Sequence, residues 1–390
     1  MKTPRMSAPH ASAVRVLLLV LLLVCATPSP ALAFGTIDTG GQNREHERIT
    51  RAALACTNER PDCFGPITAD YLAGHDREFG AVGAPDSDEM ADSAAHCDDA
   101  DYLDGGYPRT ETAALTALTD CVEHLRRRFR DGLDSAAFLL DDRGEVVAGE
   151  VAAGPECDPR ERDEDRAKCT VLESFGRVLH GVQDFYSHSN WADRADPSRP
   201  IGPDNPPGLH RPGPSPLLNL RGPSPLLDLR GPAPLLDLRG PAPVMPAGFT
   251  TGCYVLHDQV PGVGACELRI THAALNKDRG LIDPVSGRAT EPGTPRGQVA
   301  SNFADAVAGA IAESRRQWAD FRAELRARYG PAHADRMICA LTHDDPVRDC
   351  QGSPVRRGPA GLLVAGVVVA VVVLLAIGMR RRRVPPPVPF

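Results

Sequence analysis

Val178 to Asp193 reads VLHGVQDFYSHSNWAD and sets His180, Asp184 and His188 four residues apart. On a helix, a step of four turns only about 40° beyond a full circle, so the three polar groups leave from nearly one side. Beside that row runs an apolar stripe, Leu172, Phe175, Leu179, Val182 and Tyr186, at the three-and-four spacing of a core-facing helix. One face is expected to pack and the neighbouring face to coordinate a metal. Helical histidines and aspartates also pair with each other in ordinary cores, so the row alone leaves both readings open.

Outward from this stretch the pattern stays helical. FGTIDTGGQNREHERITRAALAC, from Phe34, predicts a helix that His46 opens, with Ile49, Ala52, Ala53 and Cys56 on one side. A second helix is expected over Ile67 to Phe79. From Glu111 to Phe129, the positions Leu115, Leu118, Val122, Leu125 and Phe129 mark an amphipathic helix with Arg126, Arg127 and Arg128 on its back and His124 partly exposed. LLDDRGEVVAGE reads as a hairpin-like excursion. Phe303, Val307, Ile311, Trp318, Phe321 and Leu325 mark the longest helix, and a short one follows near Ala334 to Leu341. With no convincing run of alternating strands, the expected fold class is all-α.

Two irregular stretches interrupt the helices. GAPDSDEMADSAAHCDDADYLDGG crowds Asp86, Asp88, Asp92, His96, Asp98 and Asp99 into either a solvated acidic loop or a source of ligands. Residues 197–246 form a proline-dense insertion containing a repeat of nine: PGPSPLLNL, RGPSPLLDL, RGPAPLLDL and RGPAPVMPA. Proline at that density blocks helix and central strand, so an extended or disordered surface insertion is expected. Its Leu-Leu pairs offer a surface to a protein partner, or it is a low-complexity loop without a role.

The ends indicate compartment. Lys2, Arg5 and Arg15 precede an apolar run from Val16 to Val24 and the small triplet Ala31-Leu32-Ala33, the three parts of a signal peptide spanning 1–33. Cleavage after Ala33 exposes Phe34. Near the other end, residues 360–379 carry an apolar run long enough, at about 1.5 Å per residue, to cross about 30 Å of hydrocarbon. Arg380 to Arg383 follow, which orients the basic, Pro-rich tail 380–390 to the cytosol and a body of 34–352 to the outside of the cell membrane. Of eleven cysteines, all but Cys25 lie beyond the leader, an even number suited to disulfides in an exported chain. Cys56 and Cys63, Cys157 and Cys169, Cys253 and Cys266, and Cys339 and Cys350 are close in sequence, leaving Cys97 and Cys121, but spacing does not fix connectivity. A net charge of −8 weighs against a nucleic-acid surface, which would need basic patches to replace counterions.

LHGVQDFYSHSNW, AHCDDADYLDG and THAALNKD together give the chain a more specific likeness. It resembles the superfamily of zinc-dependent phospholipases C and S1/P1-type nucleases, and within it the Het-C-like proteins. The resemblance implies a compact multi-helix domain holding up to three zinc ions. Position by position, it implies the amino group and carbonyl of Phe34 with His46 on one zinc, shared with Asp184. A second would take His96, His180, bridging Asp184 and one aspartate, Asp86 or Asp88. The third would take His188 and His272. Where the hydrolases supply a glutamate four residues after that second histidine, this chain has Asn276, with Asp278 two residues further on, so either Asp278 replaces it as a ligand or the third metal is weak or absent.

The implied activity is hydrolysis of a phosphodiester, phospholipid headgroups being favoured by the tether. Zinc brings the pKa of bound water towards about 7, and Asp86 or Asp88 orients the attacking water. Phe185, Tyr186 and Trp191 either line the approach or belong to the core. A non-catalytic Het-C-like surface protein that binds lipid or protein through a residual metal scaffold is the alternative. A nuclease is a third reading, for which no aromatic nucleotide pocket is evident.

Overall fold

In the computed structural model, residues 34–56, 62–76, 78–152, 157, 166–221, 246–254 and 266–350 are described. The leader, most of the nonapeptide repeats and the C-terminal apolar run lie outside these residues, as do the expectations that rest on them. Among the described residues no helix is long and apolar enough to cross a membrane.

The elements follow the periodicity of the sequence. Helix α1 spans Glu45–Leu54 and α2 Pro66–Ala73, after which Gly74–His75 (β1) pairs antiparallel with Glu78–Phe79 (β2). A helical turn, α3, covers Pro85–Asp88; α4 covers Glu111–Ser135 and α5 Ala167–His188. The turn α6, His272–Leu275, precedes the ladder of Leu281–Ile282 (β3) with Ala289–Thr290 (β4). The long α7, Asn302–Tyr329, ends at Gly330 with φ of 78°, and Pro331 starts α8, Pro331–Thr342, where its missing N–H costs nothing. A last turn, α9, is Pro346–Asp349. The body is helix-rich and compact, all-α in class.

Helix α5 is the axis of the body. Its stripe is buried as expected, but so is nearly every other residue from Ala167 to His188, because α4, α7 and the turn Ala81–Gly83 pack around it. A helix enclosed on all sides shields its polar row from water, and those side chains must find partners within the protein. Close approach to the Ala81–Gly83 turn requires Gly176, where a Cβ would stand 2.5 Å from Ala81 Cβ and 2.9 Å from Val82 N.

Helix α5 stops at His188. The Ser189 backbone is extended, and the strand-like segment 250–252 takes over the main chain there: Gly252 N–H donates to His188 O at 3.1 Å and Asn190 N–H to Thr250 O at 3.1 Å. The stretch Ser189 to Asp193 is therefore loop, against a helical reading of the whole motif.

Three other expectations change. The second helix ends at Ala73, because Gly74 adopts φ of 109° and turns the chain into the β1–β2 hairpin. Arg126 is buried and donates to Asn219 O at 2.7 Å, although periodicity put it on the solvent face of α4. His124 is buried too, within 3.8 Å of Glu89 and 3.7 Å of Asp92. The hairpin-like excursion is a tight turn closed by a bridge between Leu140 and Val146.

Phe185, Tyr186 and Trp191 are core residues: Phe185 packs on Tyr186 and Trp191, and Phe249 packs on Phe185 and Trp191. Five disulfides join Cys56 with Cys63, Cys97 with Cys121, Cys157 with Cys169, Cys253 with Cys266, and Cys339 with Cys350. The Cys97–Cys121 bond ties the acidic segment to α4, beside the polar row of α5.

Candidate metal centre

Helix α5 carries Asp184 into the middle of a buried cluster. Its Oδ1 lies 3.2 Å from His46 Nε2, while its Oδ2 lies 3.0 Å from both His96 Nδ1 and His180 Nε2. One carboxylate thus faces two sets of imidazoles through its two oxygens, the arrangement of a ligand shared between adjacent metals. His46 comes from the first turn of α1, and His96 from the acidic segment. The rings of His46 and His180 stack at 4.3 Å.

The imidazole orientations are fixed from behind. His180 Nδ1 sits 2.9 Å from Val82 O, so it carries the proton and leaves Nε2 as a lone pair aimed at Asp184. His46 Nδ1 sits 2.8 Å from Gln183 Oε1, and Gln183 is itself held in that sense by donating to Thr50 and Ser314. His46 Nε2 is then also a lone pair pointed at a carboxylate oxygen. His180 Nε2 also lies 3.0 Å from His96 Nδ1, which can donate to it, whereas a bare His46 Nε2 and Asp184 Oδ1 in a buried site repel one another unless a proton or a metal ion stands between them. His46 Nε2 and Asp184 Oδ1 accordingly make no hydrogen bond. This donor set fits a metal ion.

Asp86 and Asp88 part company. Asp86 Oδ1 is 3.7 Å from His180 Nε2 and 3.9 Å from His96 Nδ1, and its other oxygen accepts from Thr36. Asp86, His96 and His180 form a second metal-capable group beside that of His46, His180 and Asp184. Asp88, two residues on, turns outward and takes the guanidinium of the buried Arg177 in a fork of two 2.8 Å bonds. It is a structural partner and stands away from the histidines.

A third group gathers one turn further along α5, where His188 meets His272 of α6 with ring centroids 4.1 Å apart. Asp98 joins them: its Oδ2 is 2.9 Å from Nδ1 of each histidine. Asp278 is on the opposite edge of the same rings, 3.1 Å from His188 Nε2 and 3.4 Å from His272 Nε2. Asn276 Oδ1 accepts from Asp278 N–H at 3.5 Å, and its main chain links His272 and Thr294. Asp98 was not singled out from the sequence. It sits in a loop, which lacks a period to indicate direction, and the left-handed backbone at Cys97 (φ 52°) and Asp99 (φ 66°) sends His96 and Asp98 to different groups.

Phe34 lies at the edge of the cluster, fully buried, its ring 5.9 Å from that of His46. The next residues are stitched into the site: Gly35 N–H donates to Asp278 O, and Thr36 to Asp86. Tyr254, also missed in the sequence, spans the groups, its ring 5.4 Å from His96 and 5.8 Å from His272. Behind the third group, buried Asp193 pairs with Lys277 at 3.1 Å and with Arg296 at 2.8 and 2.9 Å. Lys277 also donates to Ser189 O, which fastens the end of α5 to the segment bearing Asp278.

The electrostatics follow from burial and charge. Burial opposes ionisation of Asp184, but His180, His188 and His46, when they carry a second proton in place of a metal, hold its carboxyl well below the usual range, and Asp184 in turn raises His46. Burial likewise disfavours a charged His188, yet Asp98, Asp278 and Asp184 raise it well above an ordinary histidine. His272 is raised to about 9, the pull of Asp98 and hydrogen bonding to Asp278 outweighing burial and the neighbouring His188. His180 is lowered, chiefly by burial. Cys253 and Cys339–Cys350, which stand near other acids or a histidine, are in disulfides and offer no thiolate.

Comparison with protein-family models, curated proteins and solved structures finds no match to this chain.

Proposed function

We propose that this chain is a membrane-tethered extracellular hydrolase of phosphodiesters, zinc-dependent and acting on phospholipid headgroups in the manner of a phospholipase C. The observation that carries this reading is Asp184, whose two oxygens face His46 on one side and His96 with His180 on the other. Imidazole nitrogen and carboxylate oxygen, without thiolate, are a donor set that zinc accepts. Zinc, when bound, supplies Lewis acidity and a water acidic enough to act near neutral pH.

In this reading, His46, His180, Asp184, His96 and Asp86 hold two ions, and His188 and His272 hold a third with Asp98 or Asp278. Phe34, freed by cleavage after Ala33, adds its amine and carbonyl beside His46. Asp86, the carboxylate of the first two groups with some access to solvent, orients the attacking water and takes its proton. Gln183 and the Val82 carbonyl keep the His46 and His180 rings in the tautomer that binds metal. The resemblance to the zinc-dependent phospholipases C and the apolar run at 360–379 favour a lipid substrate.

The test is metal analysis of purified protein beginning at Phe34, followed by assays on a phosphatidylcholine analogue and on single-stranded DNA. Three zinc ions with EDTA-sensitive lipid turnover support the proposal. Fewer than two metals and no turnover of either substrate overturn it.

One observation favours a second, non-catalytic reading. His188 and His272 each have both ring nitrogens within 3.4 Å of a carboxylate, so positively charged imidazoles and the acids Asp98 and Asp278 balance one another. A cluster whose charges balance in this way serves as a scaffold for a lipid- or protein-binding surface.

A further inference from the structure

The first of the nine-residue repeats is a built part of the body. In Pro212 to Leu220, Leu217, Leu218 and Leu220 are buried to 2 % exposure or less between α4 and α7. A short turn, Pro216–Leu218, presents the leucines, and Ser215 Oγ caps it by accepting from Leu217 N–H. The body holds this segment mostly through its main chain. Tyr186 and Trp191 donate to Gly213 O, and Glu313 accepts from Ser215 N–H. Arg316 donates to Ser215 O and Leu218 O, Gln317 also to Leu218 O, and Arg126 to Asn219 O.

Backbone recognition does not distinguish one copy from the next. The second copy, RGPSPLLDL at 221–229, keeps the glycine, the capping serine and all three leucines; the third, RGPAPLLDL at 230–238, lacks only the serine cap. Both carry aspartate where the docked copy has Asn219. The Asn219 side chain is exposed, and its Oδ1 accepts from Arg221 N–H at 3.2 Å, a bond that an aspartate carboxylate also makes. Aspartate at that position therefore keeps the turn and leaves the buried leucines where they are. The fourth copy, RGPAPVMPA, has lost the Leu-Leu pair.

We infer that the groove between α4 and α7 is a receptor for the nonapeptide, and that the second and third copies exchange with the first within one chain. Direct tethering gives each copy a high local concentration at a single groove. Since Gly222 and Gly231 repeat Gly213, a shift of one copy preserves the bonds to Tyr186 and Trp191 and puts the slack upstream, after Arg211. The exchange makes the insertion a sliding strap whose free length on either side of the groove changes in steps of nine residues.

The test uses the full chain in detergent micelles and compares three variants with the parent. Leu217→Ser with Leu218→Ser alters the first copy, Leu226→Ser with Leu227→Ser the second, and serine at all six positions of the Leu-Leu pairs in copies one to three the last. Exchange predicts that either single-copy variant melts within ~3 °C of the parent, whereas the three-copy variant melts ~10 °C or more lower. Hydrogen exchange should show amide protection moving from Ser215, Leu217 and Leu218 to Ser224, Leu226 and Leu227 in the first-copy variant. A first-copy variant that melts as low as the three-copy variant, with no protection gained in the second copy, overturns the inference. Protection gained only in a dimer, by sedimentation, also overturns it, because the copies would then be exchanging between chains.

Discussion

Asp98 Oδ2 lies 2.9 Å from His188 Nδ1, and this contact joins an irregular acidic loop to the last turn of the central helix. The same oxygen is 2.9 Å from His272 Nδ1, so one carboxylate organises both imidazoles. If Asp98 is a ligand of the third ion, Asp98→Asn should weaken zinc at that site by about 10- to 100-fold or more while the other two ions remain. Metal stoichiometry after dialysis against a competing chelator measures this. Retention of all ions at parental affinity would remove Asp98 from the ligand set.

Asp86 and Asp88 are two residues apart and separate in role. Asp86→Asn is expected to lower phosphodiester turnover by about 100-fold or more, with a stability change within about 1 kcal/mol. Asp88→Asn breaks the fork on Arg177, a guanidinium with no solvent exposure that keeps Glu89 and Glu173 as partners. It should destabilise by about 1–3 kcal/mol and leave turnover per folded molecule unchanged. Urea midpoints and active-site-normalised rates distinguish the two; reversed effects would exchange the roles.

Gly176 sets the distance between α5 and the Ala81–Gly83 turn, whose Val82 carbonyl orients His180. Gly176→Ala should cost about 1–3 kcal/mol, since the added methyl meets backbone atoms that cannot swing aside. Gly149→Ala, where a Cβ meets nothing within 4 Å, is the control and should stay within about 0.5 kcal/mol. Equal unfolding midpoints for the two variants would contradict the close approach.

Lys168 supplies a pH test away from the metal centre. It is buried and donates to His343 O at 2.6 Å, and burial lowers its ammonium to about 8. The unfolded lysine titrates near ~10.4. Below pH 8 both states are protonated and the folded state bears the full cost of the buried charge. Between 8 and ~10.4 the unfolded chain binds more protons, so stability rises with pH. Relative to Lys168→Met, the parent should gain about 3 kcal/mol between pH 7 and about pH 11, with most of the gain complete by about pH 10.5. Denaturant titrations of both proteins across that range would show it, and a flat difference would mean that Lys168 is not buried as a cation.

The all-α class and the main helices were legible because their apolar residues recur at helical spacing. Leu118, Val122, Leu125 and Phe129 of α4, and Phe303, Val307, Phe321 and Leu325 of α7, are buried as that spacing required. The signal failed where main-chain geometry overrode side-chain pattern. Gly74 turned a helix into a hairpin, and segment 250–252 captured the end of α5. Arg126 defied its place on a polar face because its head reaches the docked nonapeptide.

What the sequence determined by itself was the direction of groups on a common helix: His180, Asp184 and His188 leave one side of α5 because the helical repeat leaves them nowhere else to point. Tertiary structure alone decided which loop acids join them. Asp98 and Asp86 reach the histidines while Asp88 turns to Arg177, and the cause is packing: the Cys97–Cys121 bond, two left-handed residues and a buried guanidinium fix the loop's path. A loop has no period from which that path can be read. The same limit kept the first nonapeptide's place between α4 and α7 out of its sequence, since the repeat specifies a ligand and only the fold supplies its groove.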